Sequence, residues 1–220
     1  MLLLDELRAE HARVDGVLGA LRTYVARRLG GEAGPRDGAR FASFFRLYAD
    51  GFHHAREEGV LLPALVEHLE LPRARGPIAA IKQDHVELRA TLASLAPLLD
   101  APLGGALGEA RARLDTLAIA YSRGLWLHID AEDSVLFPEC EERLTRAGVR
   151  ELPTRPPTAE EAAARDDGDA LVERWPPLVD LGIVRGEGCA ICPSFGVRCD
   201  GVEREWWSEL EWEEFPDRVG

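Results

Sequence analysis

Apolar residues recur at steps of three and four along residues 4–29, the pattern of one buried helix face. This stripe contains a single histidine, His11, and Gly30 and Gly31 end the predicted helix. A second stripe, over residues 78–95, also holds a single histidine, His85, at a position otherwise given to leucine or isoleucine. The pattern predicts two long helices that each direct one imidazole toward the interior.

Two further helices, less regular in pattern, are predicted over residues 36–70 and 104–147. The breaks between the four helices are short, which suits antiparallel neighbours. The fold class predicted for residues 1–148 is therefore all-α, an up-and-down four-helix bundle. Residues 149–220 are predicted to form an irregular, acidic, cysteine-containing C-terminal extension.

The segments "FHHAREEGVLLP" (residues 52–63) and "LHIDAEDSVLFP" (residues 127–138) follow one pattern. Their aligned polar pairs are His53 with His128, Glu57 with Glu132, and Glu58 with Asp133. The two copies lie 75 residues apart, and the two stripe histidines lie 74 residues apart. The first half of the domain therefore repeats in the second half.

The repeat places a His-x-x-x-Glu on the second and on the fourth helix, and residues four apart share one helix face. Imidazoles and carboxylates left unpaired in a core are costly, and a bound metal ion would satisfy them. Mixed nitrogen and oxygen ligands favour iron, manganese or zinc over magnesium or calcium. A lone histidine on an apolar stripe is more often a hydrogen-bonded core residue, but the repeated pattern favours metal. The predicted ligands are His11, His53, Glu57, His85, His128 and Glu132, with Glu58 and Asp133 as additional candidates.

His54 and His68 fall outside the repeat. We expect them at the surface or behind the metal ligands.

The order of His11, "HHAREEGVLLP", "QDHVELR" and "LHIDAEDSVLFP" resembles the hemerythrin or HHE cation-binding domain over about residues 1–148. The resemblance implies a non-haem di-iron centre inside the bundle, with two iron ions bridged by two carboxylates and an oxo or hydroxo group. It places His11 and His53 on one iron and His85 and His128 on the other. The bridging carboxylates it implies are Glu57 and Glu132, with Asp133 as the alternative to Glu132. Dioxygen, nitric oxide or peroxide would then bind at an open coordination position.

One position departs from the family pattern. Oxygen-carrying members have a further histidine four residues after the third-helix ligand, and here that residue is Arg89. The departure puts reversible oxygen carriage in doubt and favours sensing of oxygen, nitric oxide or iron. The alternatives are a di-iron oxidoreductase that acts on peroxide or nitric oxide, and an iron-binding or storage module. Whether the protein is an enzyme stays open at this point.

The net charge of −13 is concentrated in the C-terminal part, because residues 151–220 hold 17 acidic residues and seven arginines. An acidic surface argues against nucleic acid or anionic lipid as a partner. No apolar stretch is long enough for a membrane span, and the acidic residues that follow the first four residues do not suit a signal peptide. We therefore expect a cytoplasmic protein.

The C-terminal extension contains Cys189, Cys192 and Cys199. Three readings stay open for them: ordinary thiols, a zinc or iron–sulfur site that Cys140 would complete, or a redox-active Cys-x-x-Cys pair. Upstream of them, Thr158 and Glu161 form a predicted capping box for a short helix that ends near Arg165.

The chain closes on "REWWSELEWEEFPD", in which aromatic and acidic residues alternate. Two interpretations stay open for this segment, packing against the bundle or docking to a partner protein. The oligomeric state is not determined by the sequence.

Overall fold

The computed structural model of the 220-residue chain describes residues 1–34, 36–103 and 108–177, and within these ranges it contains helices and no strand. Helix α1 is Leu2–Leu29. Helix α2 covers residues 38–69 in the segments Gly38–Ser43, Phe44–His54, Glu57–Leu61 and Leu62–Leu69. Helix α3 is Gly76–Leu99. Helix α4 covers residues 109–146 in the segments Glu109–Ala131, Glu132–Leu136 and Phe137–Arg146. Helix α5 is Ala159–Arg174.

The all-helical prediction is confirmed for the described ranges, and the up-and-down order of the first four helices stays a prediction. The prediction that the C-terminal helix ends near Arg165 was wrong. Helix α5 continues to Arg174 because its buried face continues through Gly168 and Leu171. No helix in the described part of the chain is long and apolar enough to cross a membrane.

Helices α2 and α4 contain π-helical segments, whose hydrogen bonds join residues five apart and whose turns are wider than those of an α-helix. Two of these segments, Glu57–Leu61 and Glu132–Leu136, occupy equivalent positions in the two halves of the repeat. A third, Phe44–His54, precedes the first of them. A wider turn changes which side chains face the interior, and such turns are frequent at functional sites.

Two apolar clusters form the core. The larger includes Val14, Phe52, Leu88 and Leu125, and the smaller includes Leu7, Leu61, Ile81 and Leu136. On α1, α2, α3 and α4 alike, the candidate metal ligands stand in the chain between a residue of one cluster and a residue of the other. A polar layer therefore interrupts the core where the four helices meet.

Asp100, which follows α3, holds the beginning of α2. Its two carboxylate oxygens accept hydrogen bonds from the backbone N–H groups of Gly38 and Ala39, both at 2.9 Å. The Tyr24 hydroxyl of α1 donates to the same carboxylate at 2.8 Å. Burial and this bond raise the pKa of Tyr24 to about 12. One carboxylate thus fixes α2 relative to α1 and α3.

Helix α5 packs on α1 and α2. It begins with the predicted capping box, in which the Thr158 hydroxyl accepts from the Glu161 N–H and the Glu161 carboxylate accepts from the Thr158 N–H. Just after its end, the Trp175 indole donates to Asp37 at 2.9 Å. Gly168 lets the helix approach closely, because a Cβ at this position would overlap the buried ring of Phe44.

The Gly168→Ala substitution tests this close approach. Alanine at an ordinary helix position is more stable than glycine by about 1 kcal/mol. At residue 168 the added methyl group meets the Phe44 ring, so we expect a loss of about 1–3 kcal/mol in the free energy of unfolding. Urea denaturation followed by circular dichroism measures it.

Gly16→Ala on α1 is the matched control, because a Cβ there would lie 3.6 Å from Val172, at ordinary van der Waals distance. This variant is expected to keep or raise the stability. Equal stabilisation by both alanines would contradict the close packing of α5 on α2.

Candidate metal centre

Five histidines and two glutamates converge in the polar layer, and all are at most 4% exposed. Helix α1 supplies one of them, α2 three, α3 one and α4 two. We call this set the His/Glu cluster; its members are His11, His53, His54, Glu57, His85, His128 and Glu132.

The ligand atoms of the cluster form two overlapping groups, and within each group all of them lie within 4.8 Å of one another. The first group consists of His11, His53, Glu57 and Glu132. The second group consists of His54, Glu57, His85 and His128. Spacing of this kind suits one metal ion per group.

The two carboxylates lie between the two groups. Glu57 directs Oε1 to Nε2 of His53 at 3.3 Å and Oε2 to Nε2 of His85 at 3.4 Å. Glu132 Oε2 lies 3.2 Å from Nε2 of His11 and 3.3 Å from Nε2 of His128. Each carboxylate therefore contacts one imidazole of each group, as a carboxylate shared by two ions would.

Each of the five imidazoles faces a carboxylate with its outer nitrogen, Nδ1. These nitrogen–oxygen pairs, at 2.8–3.5 Å, are His11 with Asp133, His53 with Glu10, His54 with Asp50, His85 with Glu58, and His128 with Asp84. A carboxylate behind an imidazole fixes the ring orientation and makes the inner nitrogen a stronger ligand. Four of the five histidines thus have the outer support that metal-binding histidines usually have, whereas Nδ1 of His128 forms no hydrogen bond within the described residues.

The inner carboxylates lack such support. Among the described residues, no oxygen of Glu57 or Glu132 has a hydrogen-bond partner. Burial, and then the charge of Glu57, raises the pKa of Glu132 well above its usual value. Burial also acts to raise the pKa of Glu57, but the neighbouring His53 and His85 outweigh it and hold that pKa well below normal. The metal-free protein therefore keeps one of the two carboxyls charged and the other protonated.

A bound cation would remove the electrostatic penalty of having both buried carboxylates charged. One metal ion in each group would let both carboxyls ionise and would use the inner nitrogens of the five imidazoles. Burial lowers the pKa of His54 well below its usual value, so its imidazole is neutral, the form that binds metal. The donors are imidazoles and carboxylates, a set that suits iron, manganese or zinc. The residues present fit a pair of transition-metal ions.

The six ligands predicted from the sequence all lie in the cluster. Glu58 and Asp133, the additional candidates, lie behind His85 and His11 and are about one-third exposed. His54 is 4% exposed and stands in the second group, so its expected place at the surface was wrong, and its place behind the ligands stays a prediction. His54 belongs to the π-helical segment that ends at this residue, where the wider turn brings two consecutive histidines inward.

The carboxylates Glu10, Asp50 and Asp84 were not identified from the sequence. Asp50 had a local signal, because it lies four residues before His54 on the same helix. Glu10 and Asp84 had no local signal, since each lies beside a histidine of another helix, more than 40 residues away.

A helical fold around a buried layer of histidines and glutamates defines this chain as a metal-binding helical protein. The family model of the hemerythrin HHE cation binding domain matches residues 2–140. The chain belongs to this family, and the cation site of the family corresponds to the His/Glu cluster. No curated protein and no solved structure matches the chain.

The cysteines Cys189, Cys192 and Cys199 and the tryptophan-rich end lie outside the described residues. Cys140 is fully buried in the smaller apolar cluster, and burial raises the pKa of its thiol well above the usual value. That Cys140 completes a site with the C-terminal cysteines stays a prediction.

Neutral substitutions at the two inner carboxylates are expected to act differently on the metal-free protein. Glu57→Gln removes a charge that the histidines stabilise, so we expect a loss of about 1–3 kcal/mol in the free energy of unfolding at neutral pH. Glu132→Gln replaces a carboxyl that is neutral in the folded protein but ionised in the unfolded chain at neutral pH, so this variant should keep or raise the stability. Both variants should bind less metal. Urea denaturation with a chelator present measures the difference.

The depressed pKa of Glu57 also sets a pH dependence. Its contribution is present above the unfolded value of 4.5 and is lost as the pH falls through the lower folded value. The two metal-free variants should therefore become equally stable in acid. Equal stability at pH 7 would contradict the assignment of charge to Glu57.

Proposed function

We propose that this protein is a di-iron sensor of the hemerythrin type. The His/Glu cluster holds two iron ions, one in each group, with Glu57 and Glu132 between them. Iron with imidazole and carboxylate ligands and an open coordination position binds dioxygen, nitric oxide or peroxide and changes its oxidation state. A sensor must pass such a change to another part of the molecule.

One chain of contacts supports sensing over storage. His53 in the cluster contacts Glu10 at 3.0 Å, and the buried Arg56 guanidinium donates to the other oxygen of Glu10. Arg56 also donates to the Thr154 hydroxyl at 3.1 Å. Thr154 lies between α4 and α5, beyond the residues matched by the family model. The candidate centre is therefore connected to the C-terminal extension through three contacts.

Packing reinforces the connection. The Arg56 guanidinium lies over the Phe52 ring at 4.2 Å, and the Arg155 guanidinium lies over the same ring at 4.8 Å. Arg155 also forms two hydrogen bonds of 2.7 Å with Glu161 at the beginning of α5. A change in the charge of the centre changes how strongly the His53 imidazole donates to Glu10. Arg56 would then redistribute its bonds between Glu10 and Thr154.

The first experiment measures the metal. We expect protein loaded anaerobically with iron(II) to hold about two irons per chain, as two groups of ligands require. Exposure to air should produce near-ultraviolet absorption bands that bleach on reduction and return in air. A His85→Ala variant should hold less iron than the wild type. Zinc alone, or no metal in a folded protein, would overturn the proposal.

The second experiment measures whether a change in oxidation state of the iron affects the C-terminal extension. Hydrogen exchange of the backbone at residues 149–158 should differ between the reduced and the air-oxidised iron-loaded protein by at least about fivefold. Thr154→Val keeps the shape of the side chain but removes the hydroxyl, so the difference should shrink while the iron content stays the same.

Thr91→Val on α3 is the matched control, because within the described residues the Thr91 hydroxyl donates only to a backbone carbonyl of its own helix. This variant should behave as the wild type. Exchange rates that do not depend on the oxidation state would exclude transmission through Thr154 and would favour an enzyme or a storage module.

A di-iron oxidoreductase is the second candidate. The observation that favours it is the unequal supply of imidazoles, two in the first group and three in the second. The ion with fewer imidazoles has more room for a reacting ligand such as peroxide. Sustained consumption of peroxide or nitric oxide by the iron-loaded protein, with repeated turnover, would favour the enzyme. Ready loss of iron to a chelator without an oxidation–reduction cycle would favour storage.

A further inference from the structure

Arg89 lies on α3, one turn after His85, with its side chain 41% exposed. A half-exposed arginine in ion pairs usually contributes little to stability. The partners of Arg89 are unusual, because each of them also contacts a histidine of the second group.

The first partner is Asp50. Arg89 Nη1 donates to Asp50 Oδ1 at 2.8 Å, and the same oxygen lies 3.4 Å from Nδ1 of His54. The second partner is Glu58. Arg89 donates to Glu58 Oε1 at 3.2 and 3.3 Å, and that oxygen lies 2.8 Å from Nδ1 of His85. One guanidinium thus fixes the two carboxylates that orient two imidazoles.

The imidazole rings of His54 and His85 lie parallel to each other. The rings of His54 and His85 are stacked, with centroids 4.0 Å apart and planes inclined by 14°. Their outer nitrogens face carboxylates that Arg89 holds, and both residues belong to the second group of ligand atoms. Parallel rings fixed at the same edge direct both inner nitrogens to the same side.

We propose that Arg89 is a positioning residue for the metal centre: by holding Asp50 and Glu58 it keeps His54 beside His85, so that His54 serves as the third imidazole ligand of the second group. The inference rests on the proposed binding of two metal ions. It adds His54 as a ligand of the second group, although its neighbour in the sequence, His53, belongs to the first group. Arginine suits this role because its planar fork of donors holds two carboxylates at once, which the single ammonium of lysine does less well.

Cobalt(II) titration of the metal-free full-length chain tests the proposal. The visible absorption of cobalt reports the number and type of its ligands, and competition with a chelator gives the affinity of each ion. The wild type should bind two ions. His54→Ala should weaken one of the two by about 10- to 100-fold and change its spectrum, because one imidazole is lost. X-ray absorption should then count four imidazoles per pair of ions in place of five.

Arg89→Ala should weaken the same ion by about tenfold and change the same bands, although within the described residues the guanidinium bonds to Asp50 and Glu58 and not to the cluster itself. Arg89→Lys should recover part of the affinity. In a His54→Ala background the effect of Arg89→Ala should be smaller, since the two residues act through one pathway. Arg146→Ala is the matched control: this arginine forms an exposed ion pair with Glu142 on α4 and should leave both ions unaffected.

The outcomes separate the inference from the proposed function. A wild type that binds no cobalt with defined stoichiometry would overturn both. Two bound ions in the wild type, with unchanged affinity and spectrum in His54→Ala, would overturn the inference alone. A loss of thermal stability in Arg89→Ala without any change in affinity or spectrum would show a surface ion pair and would also overturn it. Circular dichroism establishes that each variant is folded.

Discussion

The burial of ionisable groups between two apolar clusters is the constraint on which the rest of this structure depends. Five imidazoles and two carboxylates occupy a layer from which water is excluded, and the inner carboxylates have no hydrogen-bond partner among the described residues. An uncompensated buried charge costs several kcal/mol. The helices must therefore hold the layer in a geometry that a cation can satisfy, and the outer carboxylates, the π-helical turns and the ion pairs of Arg56 and Arg89 all serve this geometry.

The two halves of the layer differ in their surroundings. Behind His53, Glu10 is bound by the buried Arg56, which also donates to Thr154 in the segment before α5. Behind His54 and His85, the supporting carboxylates are bound by the half-exposed Arg89. One half is thus connected to the C-terminal extension and the other to the surface of α3. The two halves of the sequence repeat, with nearly equal candidate ligands, therefore have two different outer environments.

Most of the fold could be predicted because apolar periodicity is a local property. The stripes of α1 and α3 mark their buried faces, and the breaks at glycine and proline residues separate the helices. Helix α5 was predicted too short, because its buried face continues through small residues that a hydrophobic pattern does not register. Gly168 is buried against Phe44 since it lacks a side chain, a packing role that only the neighbouring helix reveals.

The sequence by itself determined the kinds of candidate ligand and the spacing of six of them, because the repeat of His-x-x-x-Glu and of the stripe histidines lies along single helices. Only the tertiary structure decided that His54 joins the cluster, since an α-helical pattern does not anticipate the wider π-turn at this residue. It also decided which carboxylate supports which imidazole. The partners of His11, His53, His85 and His128 lie 27 to 122 residues away or on other helices, and such contacts follow from helix packing rather than from local spacing.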